Sequence, residues 1–207
     1  QILMFTRQLY SASGRQAGVR SHEDFFVSTL TDEGWGYAVN AGEPLNTSTN
    51  EGAQTLSSNG NYMYFTSCER PGGAGSCDIY FSTFSNGKWS IPFNVGSPVN
   101  TPWWESTPSV NADGNMLIFS SNRPGGSGGK DLWYSLLTGK GGWSQPLNLG
   151  SRINTPDDEM SPFIHFDGKT LYFSSNGHPG MGGFDIYMTR MKEDSTWSDP
   201  KNIGFPI

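Results

Sequence analysis

Tryptophan recurs along this chain with a fixed step. Trp35, Trp89, Trp143 and Trp197 lie 54 residues apart. Glu51, Glu105 and Glu159 keep the same step, as do the Asn-Thr pairs that begin at Asn46, Asn100 and Asn154. Asp24, Asp78, Asp131 and Asp185 step by 54, 53 and 54 residues. Four residue types on one period define an internal repeat. Such a repeat restricts the chain to a stack of similar units, each burying its faces on its neighbours.

The unit from Glu105 to Asp158 parses into four short strands. Residues 106–111 form the first, and "NADG" (111–114) turns the chain, with glycine supplying the positive φ. Residues 115–121 form the second. Its consecutive apolar residues Met116, Leu117, Ile118 and Phe119 suit a strand buried on both faces. A glycine-rich loop leads to the third, residues 131–136. Residues 143–149 form the fourth, where Pro146 points to a sheet edge, because a missing N–H is tolerated there. The other units repeat the pattern, with "YMYF" (62–65) and "TLYF" (170–173) as second strands. The first unit starts at its second strand and carries an insertion between residues 8 and 23.

Composition agrees. Charged residues are 15% of the 207, aromatic residues 14%, and 27 are glycine, a balance that favours strands and turns over helices. The formal net charge of -6, without a basic cluster, argues against nucleic-acid binding. No apolar run is long enough to span a membrane, so direct insertion is not expected. The expected fold class is all-β, a β-propeller of four-stranded antiparallel blades. The expected blades cover residues 1–50 (lacking the first strand), 51–104, 105–158 and 159–207. About four blades are present, and a five- or six-bladed ring is expected in the parent. The opening "QILMFTR" reads as the middle of a strand, so a piece of a longer protein is expected. The once-per-blade tryptophan is expected to pack between blades.

The segment "E-x-x-P-x-x-x-x-D-G-x-x-L-x-F-S-S" at 159–175, followed by "DIY", resembles the propeller repeats of TolB-type periplasmic proteins. "GGFDIYMTRMKEDSTWSDPKNIG" and "LGSRINTPDDE" look like propellers of OmpA-family envelope proteins of Bacteroidetes-type bacteria, including a peptidoglycan-linked lipoprotein of type IX secretion and gliding. The resemblance implies an outer-membrane-associated periplasmic scaffold whose partners are envelope or secretion-machinery proteins. Peptidoglycan would be bound only through a domain outside this chain, and no cofactor is implied.

Several stretches invite a chemical reading. "SSNRPGGSGGKDLWYS" (120–135) offers Gly129-Lys130. A phosphate-binding loop would need an earlier glycine where Pro124 stands, a hydroxyl where Asp131 stands, and a following helix. The Glu series and the Asp series allow two readings: caps and inter-blade hydrogen bonds, or a ring of carboxylates for a cation or an amine. Arg70 and Arg123 are the expected ion-pair partners, and His178 takes the arginine's place in the last unit. Glycosidase chemistry needs two acids at unique positions, whereas these acids recur. Residues that break the repeat are Arg15, Arg20, His22, Trp103, Trp104, His165 and His178. Adjacent tryptophans off the repeat template suit either local packing or a hot spot or sugar platform. The expected partner-binding face therefore carries the glycine loops with Trp103, Trp104, His178, Arg70, Arg123, Glu51, Glu105 and Glu159. The alternative function is a carbohydrate-binding or glycan-hydrolysing propeller. Cys68 and Cys77 close one glycine loop. Zinc would need two further ligands, so a disulfide is expected, with two buried thiols as the other possibility.

Overall fold

The computed structural model describes residues 1–11 and 20–205. Arg15 and the centre of the insertion, residues 12–19, lie outside the described residues, as does the Arg20 side chain. Every regular element described is a strand, and the strands form four antiparallel sheets in chain order. The first holds β1 (Ile2–Ser11), β2 (Arg20–Thr31), β3 (Gly34–Trp35) and β4 (Val39–Asn40). The second holds β5 (Asn50–Leu56), β6 (Tyr62–Cys68), β7 (Cys77–Ser85), β8 (Lys88–Trp89) and β9 (Phe93–Asn94). The third holds β10 (Glu105–Val110), β11 (Met116–Ser121), β12 (Asp131–Leu136) and β13 (Leu147–Asn148). The fourth holds β14 (Glu159–Ile164), β15 (Thr170–Ser175), β16 (Asp185–Arg190) and β17 (Lys201–Asn202). This is the blade architecture of a propeller, with the first strand innermost in the second, third and fourth blades.

The fourth strand of each blade is shorter than the sequence suggests. In the third blade only Leu147 and Asn148 pair as a strand, while Trp143 makes an isolated bridge to Leu137. Between them Ser144 replaces ladder bonds with its side chain. Its hydroxyl accepts from the Leu136 N–H, and its carbonyl accepts from Ser135 Oγ. Ser90 and Ser198 do the same in their blades. Pro146 sits at this outer edge, where no further strand asks for its N–H.

Three apolar clusters fill the seams between successive blades. Phe25 and Leu45 meet Met63, Phe65 and Tyr80 between the first and second. Ile79 and Val99 meet Leu117, Phe119 and Trp133 between the second and third. Ile118, Leu132 and Ile153 meet Leu171, Phe173 and Tyr187 between the third and fourth. Trp89, Trp143 and Trp197 join these seams, as the repeat suggests. Trp35 lies in none of these three seams and is 52% exposed, against 8% for Trp197.

The inner strands share a kink. Ala53, Thr107 and Ser161 have φ near 50°, each inside a register shift between the inner strand and its neighbour. The bulge recurs in all three complete blades and bends the strand nearest the propeller axis.

Candidate functional site

The expected face is built from three repeated devices, and each answers a question of backbone satisfaction. The first is the glutamate. Glu51, Glu105 and Glu159 are fully buried. Glu159 accepts from the Thr155 N–H at 2.7 Å, Thr155 Oγ1 at 2.7 Å and Ser175 Oγ at 2.7 Å. Glu51 and Glu105 hold the equivalent threonine and serine. Each carboxylate ties the incoming connection to the second strand of its blade. The glutamates are therefore latches inside the blade, which corrects their placement on a partner-binding surface.

The aspartates cap the glycine loops. Asp78 Oδ2 accepts from the Ala74 N–H, Asp131 Oδ2 from Ser127 N–H, and Asp185 Oδ2 from Met181 N–H, at 2.6, 2.6 and 2.7 Å. Burial pushes the Asp131 carboxyl above its usual range, and the Ser127 N–H works against that shift. A Cβ on Gly126 or Gly180 would collide with the capped carboxylate, and one on Gly128 would collide with the Pro156 carbonyl. The glycines thus let the loop fold onto its own aspartate and onto the connection to the next blade. This excludes a phosphate cradle: Lys130 turns to Asp158, with Nζ–Oδ2 at 3.0 Å, and a strand follows.

The third device is an arginine or histidine packed on an aromatic ring. Arg70 stacks on Tyr80 at 5.1 Å and donates to the Pro44 carbonyl at 3.3 Å. Arg123 stacks on Phe119 and Trp133, donates to the carbonyls of Pro98 and Val99, and meets Glu105 at 3.2 Å. Burial lowers its pKa, and Glu105 opposes that. His178 Nε2 lies 2.8 Å from the Ile153 carbonyl, and its ring packs on Phe173 and Tyr187. All three side chains face inward and grip the connection entering their own blade. Their assignment to a docking surface is corrected for the same reason: their polar groups are turned to the chain itself. The expected Arg123 ion pair is present; Arg70 meets no carboxylate among the described residues.

The two adjacent tryptophans diverge. Trp104 is half-buried, bridges to Cys77 in parallel register and lies under Lys130 Nζ at 5.4 Å. Trp103 is 48% exposed, and its backbone is wedged against Gly75. Cys68 and Cys77 are opposite one another on β6 and β7 and form a disulfide. His22 lies 3.7 Å from Asp24, and His165 lies 3.4 Å from Asp167 in an exposed turn. The Asp167 carboxylate also accepts from the Thr170 hydroxyl at 2.7 Å.

In the sequence Asn46, Asn100 and Asn154 stand only as period markers. Asn154 accepts from the Leu132 N–H at 2.8 Å and donates to its carbonyl at 3.0 Å and to Asn148 at 2.8 Å. Asn46 and Asn100 pair likewise with Phe25 and Ile79. The second asparagine series, Asn40, Asn94 and Asn148, was the available signal.

No family model matches the chain, and no curated protein matches it. Solved structures do. TolB from Acinetobacter baumannii is 16% identical over 87% of this chain and 38% of its own, with a TM-score of 0.54. A TolB-type structure from Agrobacterium tumefaciens is 15% identical over 88% of this chain and 57% of its own, with a TM-score of 0.55. The α-L-arabinofuranosidase of Lactobacillus brevis is 14% identical over 100% of this chain and 72% of its own, with a TM-score of 0.58. The chain spans less than two thirds of the TolB chains it matches. The shared property is the propeller fold.

Proposed function

We propose that this chain is a non-catalytic protein-interaction scaffold of a bacterial cell envelope, docking a partner on the glycine-loop face around Trp103. The observation that carries the reading is the contrast between Trp103 and its surroundings. The loops of this face are clamped by aspartate caps, buried latches and inward arginines, so they form a rigid platform. On it stands a half-exposed tryptophan that breaks the repeat, the residue type most favoured at binding hot spots. The recurring glutamates are buried and each accepts at least three hydrogen bonds, which supports scaffolding over hydrolysis. The disulfide favours an oxidising compartment, in keeping with a periplasmic, outer-membrane-associated site. The resemblance directs the partner search to OmpA-family and type IX secretion or gliding components. Trp103→Ala is expected to weaken capture from an envelope fraction at least fivefold while leaving the melting temperature within about 1 °C. Unchanged capture would overturn the reading.

A glycan-binding reading has its own observation. A groove of about 440 Å³ between the second and third blades is lined by Tyr62, Tyr64, Phe81, Phe93 and Trp143, with Asp113 at its rim. Aromatic faces beside a carboxylate suit sugar stacking. Binding on a glycan array that Phe93→Ala removes would favour this reading over the scaffold.

A further inference from the structure

The groove between the second and third blades has a counterpart of about 570 Å³ between the third and fourth. The two occupy one place in the repeat. Tyr62, Phe81 and Trp143 line the first, and Met116, Tyr134 and Trp197 stand at the same positions in the second. Each groove is the partly covered flank of its seam's apolar cluster. The blade architecture therefore accounts for the hollows, but not for what lines them. Phe93, opposite Phe81, is matched by Leu147, opposite Tyr134, and Tyr64 is matched by Ile118. The seam between the third and fourth blades packs without those rings, so packing alone does not demand them. The charge reverses as well. Asp113 is the charged lining residue of the first groove, and Arg152 that of the second.

The Asp113 carboxylate is free because a neighbour does its local work. At the same turn of the fourth blade, Asp167 accepts from the Lys169 N–H at 2.9 Å and the Thr170 N–H at 2.8 Å. In the third blade the corresponding amides, of Asn115 and Met116, both donate to Asn111 Oδ1 at 3.0 Å. Asp113 is left exposed, and it joins no ion pair among the described residues. The rings beside it stand at steep angles. Phe93 is tilted 60° to Phe81 with centroids 5.0 Å apart, and Tyr64 lies at 71° to Trp143 with centroids 5.9 Å apart. Planes set at such angles can present several faces to one compact cation. Tyr62 and Phe93 are 44% and 56% exposed, so both rings are open to a ligand. Lys140, in the turn before Trp143, is exposed and lies over no ring among the described residues.

We propose that the groove between the second and third blades binds an organic cation with an alkylated ammonium head, held by the aromatic faces and by the Asp113 carboxylate. Ring quadrupoles attract positive charge, the free carboxylate adds a counter-charge, and no lysine or arginine in the described lining competes for either. The proposal goes beyond the scaffold reading and does not rest on the glycan one. Neither unchanged capture by Trp103→Ala nor a silent glycan array bears on it. The test titrates choline into the chain by calorimetry. The control is its uncharged isostere, with a tert-butyl group in place of the trimethylammonium. Choline is expected to bind one-to-one and at least tenfold more tightly than the isostere. Asp113→Asn should weaken choline at least threefold and leave the isostere unchanged. Phe93→Leu installs the residue type that Leu147 provides in the neighbouring groove, and it should weaken choline at least fivefold. Both side chains are exposed, so the fold is expected to survive either change. Equal binding of the two compounds, choline binding that both variants leave unchanged, or no saturable binding would each overturn the proposal.

Discussion

Asn154 is buried and offers both halves of its amide to the backbone of Leu132, which β11 and the short β13 leave partly unpaired at that point. The Leu132 carbonyl has a second donor in the Leu149 N–H at 3.0 Å. Its N–H has Asn154 alone. Asn154→Ala therefore strands one buried donor, a cost of about 2 kcal/mol in urea unfolding. Asn154→Asp keeps that acceptor but turns an ionised oxygen toward the Leu132 carbonyl, so it should destabilise more at pH 7 than the alanine variant. An aspartate milder than alanine would remove the amide from this role. The asparagine's position was legible in the sequence because it never drifts from the period. Its role was not, since a side chain acting as a piece of strand leaves no periodic hydrophobic signal. Arg123 misled in the opposite direction. A lone cation in a glycine loop reads as a surface group, yet stacking on Phe119 and Trp133 and two carbonyl acceptors turn it inward.

At the scale of the element, the glycine loops of the second and third blades secure their far ends differently. The third uses Lys130, which bridges to Asp158. The second has Cys77 at that place, and its disulfide to Cys68 closes the loop covalently. A half-buried ion pair still open to solvent contributes little, whereas a disulfide closing a loop of about ten residues is credited with roughly 2–3 kcal/mol. Reduction of the chain should then lower its melting temperature by about 5–10 °C at fixed pH. A shift under 1 °C would show that the Asp78 cap and the Trp104 bridge hold the loop unaided. The strands flanking these loops were readable from apolar runs such as Met116–Phe119. The fourth strands were overextended, because Trp143 and Leu147 have strand chemistry while the serine between them satisfies the ladder through its hydroxyl.

Over the whole molecule, stability should follow the seams. Among the described residues every substantial strand contact between blades joins successive blades, so within this chain the second and third are flanked on both sides and the first and fourth on one. The residue at one repeat position shows the consequence. Phe25, Ile79 and Leu132 are fully buried against the following blade, whereas Ile186 is 36% exposed. In a stack of nearest-neighbour interfaces, a terminal unit can open at the loss of one seam, while a central unit must give up two. The seams are of similar make, each with five to eight buried apolar side chains. Backbone amides of β11 and β6 should accordingly exchange slowest, near the global unfolding limit. Those of β16 and β2 should exchange through smaller openings with a weaker dependence on urea. The second-blade disulfide should widen the gap for β6. Uniform exchange across all four blades would mean that the stack unfolds as one unit, and the blade would then be a unit of sequence without being a unit of stability.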